Sequence, residues 1–154
     1  MEDLIDEILI DIKLSEGEIK NYSLLSLAFL GDSIHSFFVR TKLVNAANFK
    51  VKQLHSSQTK FVKASSQKLA LDGILSLLNE DELSIVKRAK NSKTNNIAKN
   101  SSISEYKSAT AFESLLGYLA LSKKNDRLKF ILNKSYEIVE SEIKQWEYMV
   151  RILV

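Results

Sequence analysis

The sequence contains no cysteine, no proline and only four glycines in 154 residues. Without cysteine there is neither a disulfide framework nor a thiolate metal site, and a reducing, cytoplasmic compartment is expected. Without proline or an Asn-Gly pair, the usual breakers and hairpin turns are missing, which favours an all-α fold. No apolar run reaches the 18 or more residues of a membrane-spanning helix, so no membrane role is expected. The N-terminal stretch "MEDLIDEILIDIKLSEGE" is acidic and lacks a basic n-region, so it does not read as an export signal.

What is present fits one compact domain over residues 1–154, since 45% hydrophobic content is enough for a single core. The net charge of +3 is small, but it is segregated along the chain. Between residues 19 and 71 the only acid is Asp32, among Lys20, Arg40, Lys42, Lys50, Lys52, Lys60, Lys63 and Lys68. Residues 83–104 hold no acid and carry Lys87, Arg88, Lys90, Lys93 and Lys99. Such segregation is the footprint of a phosphate-binding surface.

Periodicity predicts a first helix over residues 2–13, a linker "SEGEIKN", and a long, centrally buried apolar helix from Ser23 to Val44. Helices over 51–70 and 72–78 follow, then one capped by Asn79 with Glu82. "SKTNNIAKNSS" reads as a basic loop, Ser102 with Glu105 caps a helix to Leu121, and a last amphipathic helix runs from Asn125 to Tyr148 with Trp146 packing it.

The stretch "LAFLGDSIHSF" sets a glycine and an aspartate inside an apolar helix, where glycine costs roughly 1 kcal/mol and an unpaired buried carboxylate several more. One turn to either side of Asp32 lie Ala28 and Ser36; one turn to either side of Glu113 lie Ala109 and Gly117. Small residues let helix backbones approach, so these two helices are expected to cross at the small strips and bring both carboxylates together. Two like charges so placed call for a cation, and Mg²⁺ or Mn²⁺, held by one or two carboxylates plus water and phosphate, would supply it. The alternative is that Asp32 simply pairs with Arg40 or a lysine.

"LAFLGDSI" resembles the signature helix of the ribonuclease III catalytic domain, and "ATAFESLLGYL" resembles its second acidic helix. "VRTKLV", "KQLHSSQTKFVKASSQ", "DELSIVKRAKNSKTNNIAKN" and "YKSATAFESLLGYLAL" follow in the order of the Mini-ribonuclease III family, over about residues 20–132. The resemblance implies a ribonuclease III-like helical bundle without a double-stranded-RNA-binding domain. It further implies a homodimeric, Mg²⁺-dependent endonuclease for double-stranded RNA that matures the large-subunit (23S) ribosomal RNA precursor. A ribosomal protein that presents the substrate is a further expected partner.

By motif match Asp32 and Glu113 are the catalytic, metal-holding carboxylates, and Phe29 is the apolar residue that inserts into the partner subunit. Two further acids of the longer family fall at Ala28 and Thr110 and are missing here, as in the short form. Lys90, Lys93 and Lys99 resemble the RNA-contacting loop, although that loop lacks the family's proline (Ala98 here) and glycine (Thr94 or Asn95). Val51 likewise stands where the family usually has a proline. Lys60, Lys63 and Lys68 are assigned to RNA as well. His35, one turn after Asp32 and near enough to support it, reads instead as a structural residue, and His55 as a surface or hydrogen-bonded one. A non-catalytic RNA-binding or ribosome-assembly module on the same fold, or a helical adaptor, are the competing readings.

Overall fold

The computed structural model describes residues 14–92 and 102–153. The expected helix over residues 2–13 and most of the basic loop, with Lys93 and Lys99, lie outside the described residues. Every regular element among the described residues is helical: α1 (Glu16–Lys20), α2 (Leu24–Ala46), α3 (Val51–Val62), α4 (Ala64–Ile74) with a 3₁₀ turn (Leu75–Leu77), α5 (Glu80–Asn91), α6 (Ile103–Leu121) and α7 (Asn125–Leu153).

The expected caps form. Asn79 Oδ1 accepts from Glu82 N while Asn79 N donates to Glu82 Oε2, both at 3.0 Å. Ser102 and Glu105 make the same reciprocal pair at the start of α6, and Ser23 caps α2. The stretch read as a linker is instead the single turn of α1, because Ser15 and Glu18 form a third such box and Ile19 is buried beneath it.

Four further expectations are corrected. The centrally buried helix is α6, whose residues from Ser108 to Ala120 are almost all buried, and not α2. α6 packs against α2, α4 and α5, and α7 lies over α4 and α6. α2 buries one strip, Leu27, Gly31, His35 and Val39, at a spacing of four, and leaves Leu25, Phe29 and Phe37 exposed on another face. The helix expected over 51–70 is two helices, because Lys63 has extended backbone (ψ 153°) and its carbonyl accepts from Ser66 N and Gln67 N, restarting the chain as α4. The last helix continues past Tyr148 to Leu153, with no breaker to stop it, and Trp146 is 65% exposed rather than packed.

One buried ion pair fastens α7 to the body. Glu82 is 1% exposed, and its two carboxylate oxygens accept from Arg127 Nε at 2.8 Å and Arg127 Nη2 at 2.9 Å. Burial pushes the Glu82 carboxyl up, but the hydrogen bonds from Arg127 and the Asn79 backbone outweigh it and hold it below its usual value. Arg127→Ala leaves that carboxylate buried and half-satisfied, a change that costs about 3–5 kcal/mol in such pairs. Urea unfolding should show a loss of that order, largely relieved by Glu82→Gln in the same chain.

Candidate active site

The pair Gly31 and Gly117 explains how the two acids meet. A Cβ added at Gly31 would lie 1.8 Å from the carbonyl oxygen of Glu113, and one added at Gly117 would lie 2.0 Å from that of Leu27. Each glycine therefore faces the backbone of the opposite helix, and α2 and α6 cross at a distance that no side chain permits. Ser114 strengthens the crossing by donating to the Leu24 carbonyl at 2.8 Å. The glycine in "LGDS" is thus explained by packing, and the crossing brings Asp32 of α2 close enough to Glu113 of α6 for its charge to act on that carboxyl.

The two carboxyls sit in different environments. Asp32 is exposed and makes no hydrogen bond or ion pair among the described residues. The expected rival pairing with Arg40 is not formed, since Arg40 Nε donates to Gln58 Oε1 at 3.1 Å. Glu113 is partly buried, and that burial pushes its carboxyl up to about 7; the Gln67 hydrogen bond opposes the shift and the charge of Asp32 adds to it. Ala28 and Thr110 are both buried on these helices and add no charge.

Behind the acids lies a polar link that sequence reasoning did not find. Gln67 of α4, 2% exposed, donates from Nε2 to Glu113 Oε1 at 3.1 Å and reaches His35 Nδ1 at 3.2 Å. Burial pushes the His35 imidazole down to about 4, so the ring is neutral near pH 7 and accepts at Nδ1, with its proton on Nε2. The available signal was register: Gln67 stands where Leu71 and Ile74 repeat at apolar spacing, an improbable position for an amide without a partner.

The donor set suits a hard divalent cation. Two carboxylates, one of them desolvated and neither matched by a cation among the described residues, leave negative charge to be neutralised. No group of three or more His, Cys, Asp or Glu gathers among the described residues; the two carboxylates offer oxygen donors of the kind that hard cations take together with water.

The basic side chains are dispersed. Lys60 pairs with Glu147 at 3.1 Å and Lys68 with Asp72 at 2.8 Å, all at least a third exposed. Lys63 caps α3, and Lys90 stands in the last turn of α5. Phe29 is 86% exposed, which excludes an ordinary core role. His55 lies on the exposed face of α3, lining a cleft with Arg40 and Gln58.

Comparison with known proteins points to one family. The Ribonuclease III domain model matches residues 25–124, from the start of α2 to the end of α6. A Mini-ribonuclease 3 of Thermoanaerobacter sp. is 41% identical over 127 residues, 82% of this chain and 89% of that one. A Mini-ribonuclease 3 of Brevibacillus brevis is 43% identical over 118 residues, 77% of this chain and 88% of the relative. The crystal structure of a Fusobacterium nucleatum protein, 35% identical, superposes with a TM-score of 0.69 over 75% of this chain and 93% of its own.

Proposed function

The chain belongs to the ribonuclease III family of endoribonucleases, and from that premise we propose that it hydrolyses double-stranded RNA with Asp32 and Glu113 holding a Mg²⁺ ion, for which Mn²⁺ can substitute. The observation that carries the reading is the glycine-to-backbone crossing of α2 and α6, which sets a desolvated carboxyl beside an exposed one. Asp32 and Glu113 would hold the divalent ion, which when bound would supply charge neutralisation and an activated water for hydrolysis of a phosphodiester to 5′-phosphate and 3′-hydroxyl ends.

The chain's own residues account for the remainder. Duplex RNA is gripped through its phosphates and 2′-hydroxyls, a task for Lys60, Lys63, Lys68, Lys90, Lys93 and Lys99 within a single domain. The ion pairs of Lys60 and Lys68 are exposed and cheap to exchange for phosphate. Leu25, Phe29 and Phe37 line one exposed face of α2, and a second copy of the chain is the partner that would cover it. A homodimer then presents two sites to one duplex, each cutting one strand. The substrate in this reading is the 23S ribosomal RNA precursor, in the cytoplasm, with a ribosomal protein aiding its presentation.

The test is a digest of a long, fully paired RNA with and without Mg²⁺. Wild type should give fragments only with the metal. Asp32→Asn should retain the gel shift and cut at least about a hundredfold more slowly, a loss of roughly 3 kcal/mol of transition-state stabilisation. Intact RNA in every wild-type lane, with binding preserved, would favour the non-catalytic module.

A further inference from the structure

Three helices converge on one amide. α2 supplies Asp32 and His35, α6 supplies Glu113 and the neighbouring Phe112, and α4 inserts Gln67 between them. The carboxamide nitrogen has two N–H donors, and it faces two acceptors: Glu113 Oε1 at 3.1 Å and His35 Nδ1 at 3.2 Å. His35 is itself held edge-on against Phe112, with ring centroids 5.1 Å apart at 85°. An imidazole acceptor on one side obliges the amide to turn its nitrogen, and not its oxygen, toward the carboxylate. Among the described residues this is the one hydrogen bond that Glu113 receives on its side chain, leaving Oε2 without a partner.

We propose that Gln67 is a positioning residue for the metal-holding carboxylate Glu113, with His35 as the group that fixes the orientation of its amide. The inference rests on the reading of Asp32 and Glu113 as the metal-holding pair. An apolar side chain at position 67 would continue the register of Leu71 and Ile74 and would avoid burying an amide, which costs roughly 1–3 kcal/mol when unsatisfied. The amide is accounted for by what it does to Glu113: it favours the ionised form and limits the rotation of the carboxyl. Partners of this kind, one bond removed from a metal, typically change metal affinity ten- to a hundredfold when removed.

The experiment measures Mn²⁺ binding to the RNA-free protein by the electron paramagnetic resonance signal of free Mn²⁺, for wild type, Gln67→Met, His35→Leu and Glu113→Gln, with the melting midpoint of each metal-free protein recorded beside it. Gln67→Met, close in shape and without donors, should weaken Mn²⁺ binding ten- to a hundredfold. His35→Leu should shift it in the same direction by less, and it carries the test if Gln67→Met does not fold. A purely structural amide predicts the opposite pattern: lower midpoints with Mn²⁺ affinity unchanged in both variants, while Glu113→Gln still loses binding. That result overturns the inference and leaves the site assignment standing. Wild-type Mn²⁺ binding that survives Glu113→Gln unchanged overturns both.

Discussion

Gly31→Ala should abolish cleavage and cost more than about 3 kcal/mol of stability, the largest loss expected from any single methyl group in this chain. Overpacking a core ordinarily costs about 1–3 kcal/mol, because side chains rotate to make room. Here the new Cβ would lie 1.8 Å from the Glu113 carbonyl oxygen and 2.6 Å from its carbon, and backbone atoms have no rotamer to yield. α2 and α6 must then separate along the crossing that places Asp32 beside Glu113, so stability and activity fall together. The roughly 1 kcal/mol that alanine gains over glycine in helix propensity does not offset this. The other glycines make an internal scale. Gly117→Ala should be comparably severe, with its Cβ 2.0 Å from the Leu27 carbonyl oxygen. Gly73→Ala would meet the Ile138 Cδ1 methyl at 2.6 Å, a flexible tip, and should be mild. Gly17→Ala meets nothing within 4 Å and should be neutral or slightly stabilising. Urea midpoints across the four variants check the order, and a Gly31→Ala protein as stable as Gly73→Ala would refute the account.

That same crossing shows how far the site can be read without coordinates. Two lone acids, each with small residues one turn away, were enough to anticipate that α2 and α6 approach closely, because a close approach has a sequence cost that shows. The caps at Asn79 and Ser102 were legible for a similar reason: they are satisfied within four residues. The break at Lys63 was not, since neither proline nor glycine marks it. On either side of it the two helices make different tertiary contacts, Phe61 stacking on Tyr136 (centroids 4.5 Å apart) and Gln67 reaching His35 and Glu113, which local sequence does not announce. The exposure of Phe29 follows the family resemblance, whereas the burial of α2 along one strip alone was hidden for the converse reason: hydrophobicity all round α2 does not say which face meets the body and which is left bare.

Glu113→Gln should separate activity from stability, lowering one and raising the other. Gln keeps an oxygen to accept from Gln67 Nε2, so the hydrogen bond at 3.1 Å and the packing persist while the charge is lost. Cleavage should fall by at least about a thousandfold, roughly 4 kcal/mol, more than for Asp32→Asn because charge in a desolvated site is screened less by water. Stability moves the other way. The Glu113 carboxyl is pushed up to about 7 in the folded, metal-free protein, against an ordinary value of 4.5. A group whose folded value is raised contributes its full stability below the unfolded value and loses it as pH rises through the folded one. Wild type and Glu113→Gln should therefore be close in stability at pH 4.5 in chelator and diverge as pH rises to about 7, with the variant ahead above that. At about 1.4 kcal/mol per pH unit the interval bounds the difference at about 3 kcal/mol, and 1–3 kcal/mol is the expected range. Urea unfolding at pH 5 and pH 8, with and without Mg²⁺, reads this directly. The metal should restore stability to wild type at pH 8 and do nothing for the variant, since only the carboxylate gains from a cation. A variant less stable than wild type at pH 8 without metal would mean that the Glu113 charge stabilises the metal-free fold, and that its burial is not the destabilising feature.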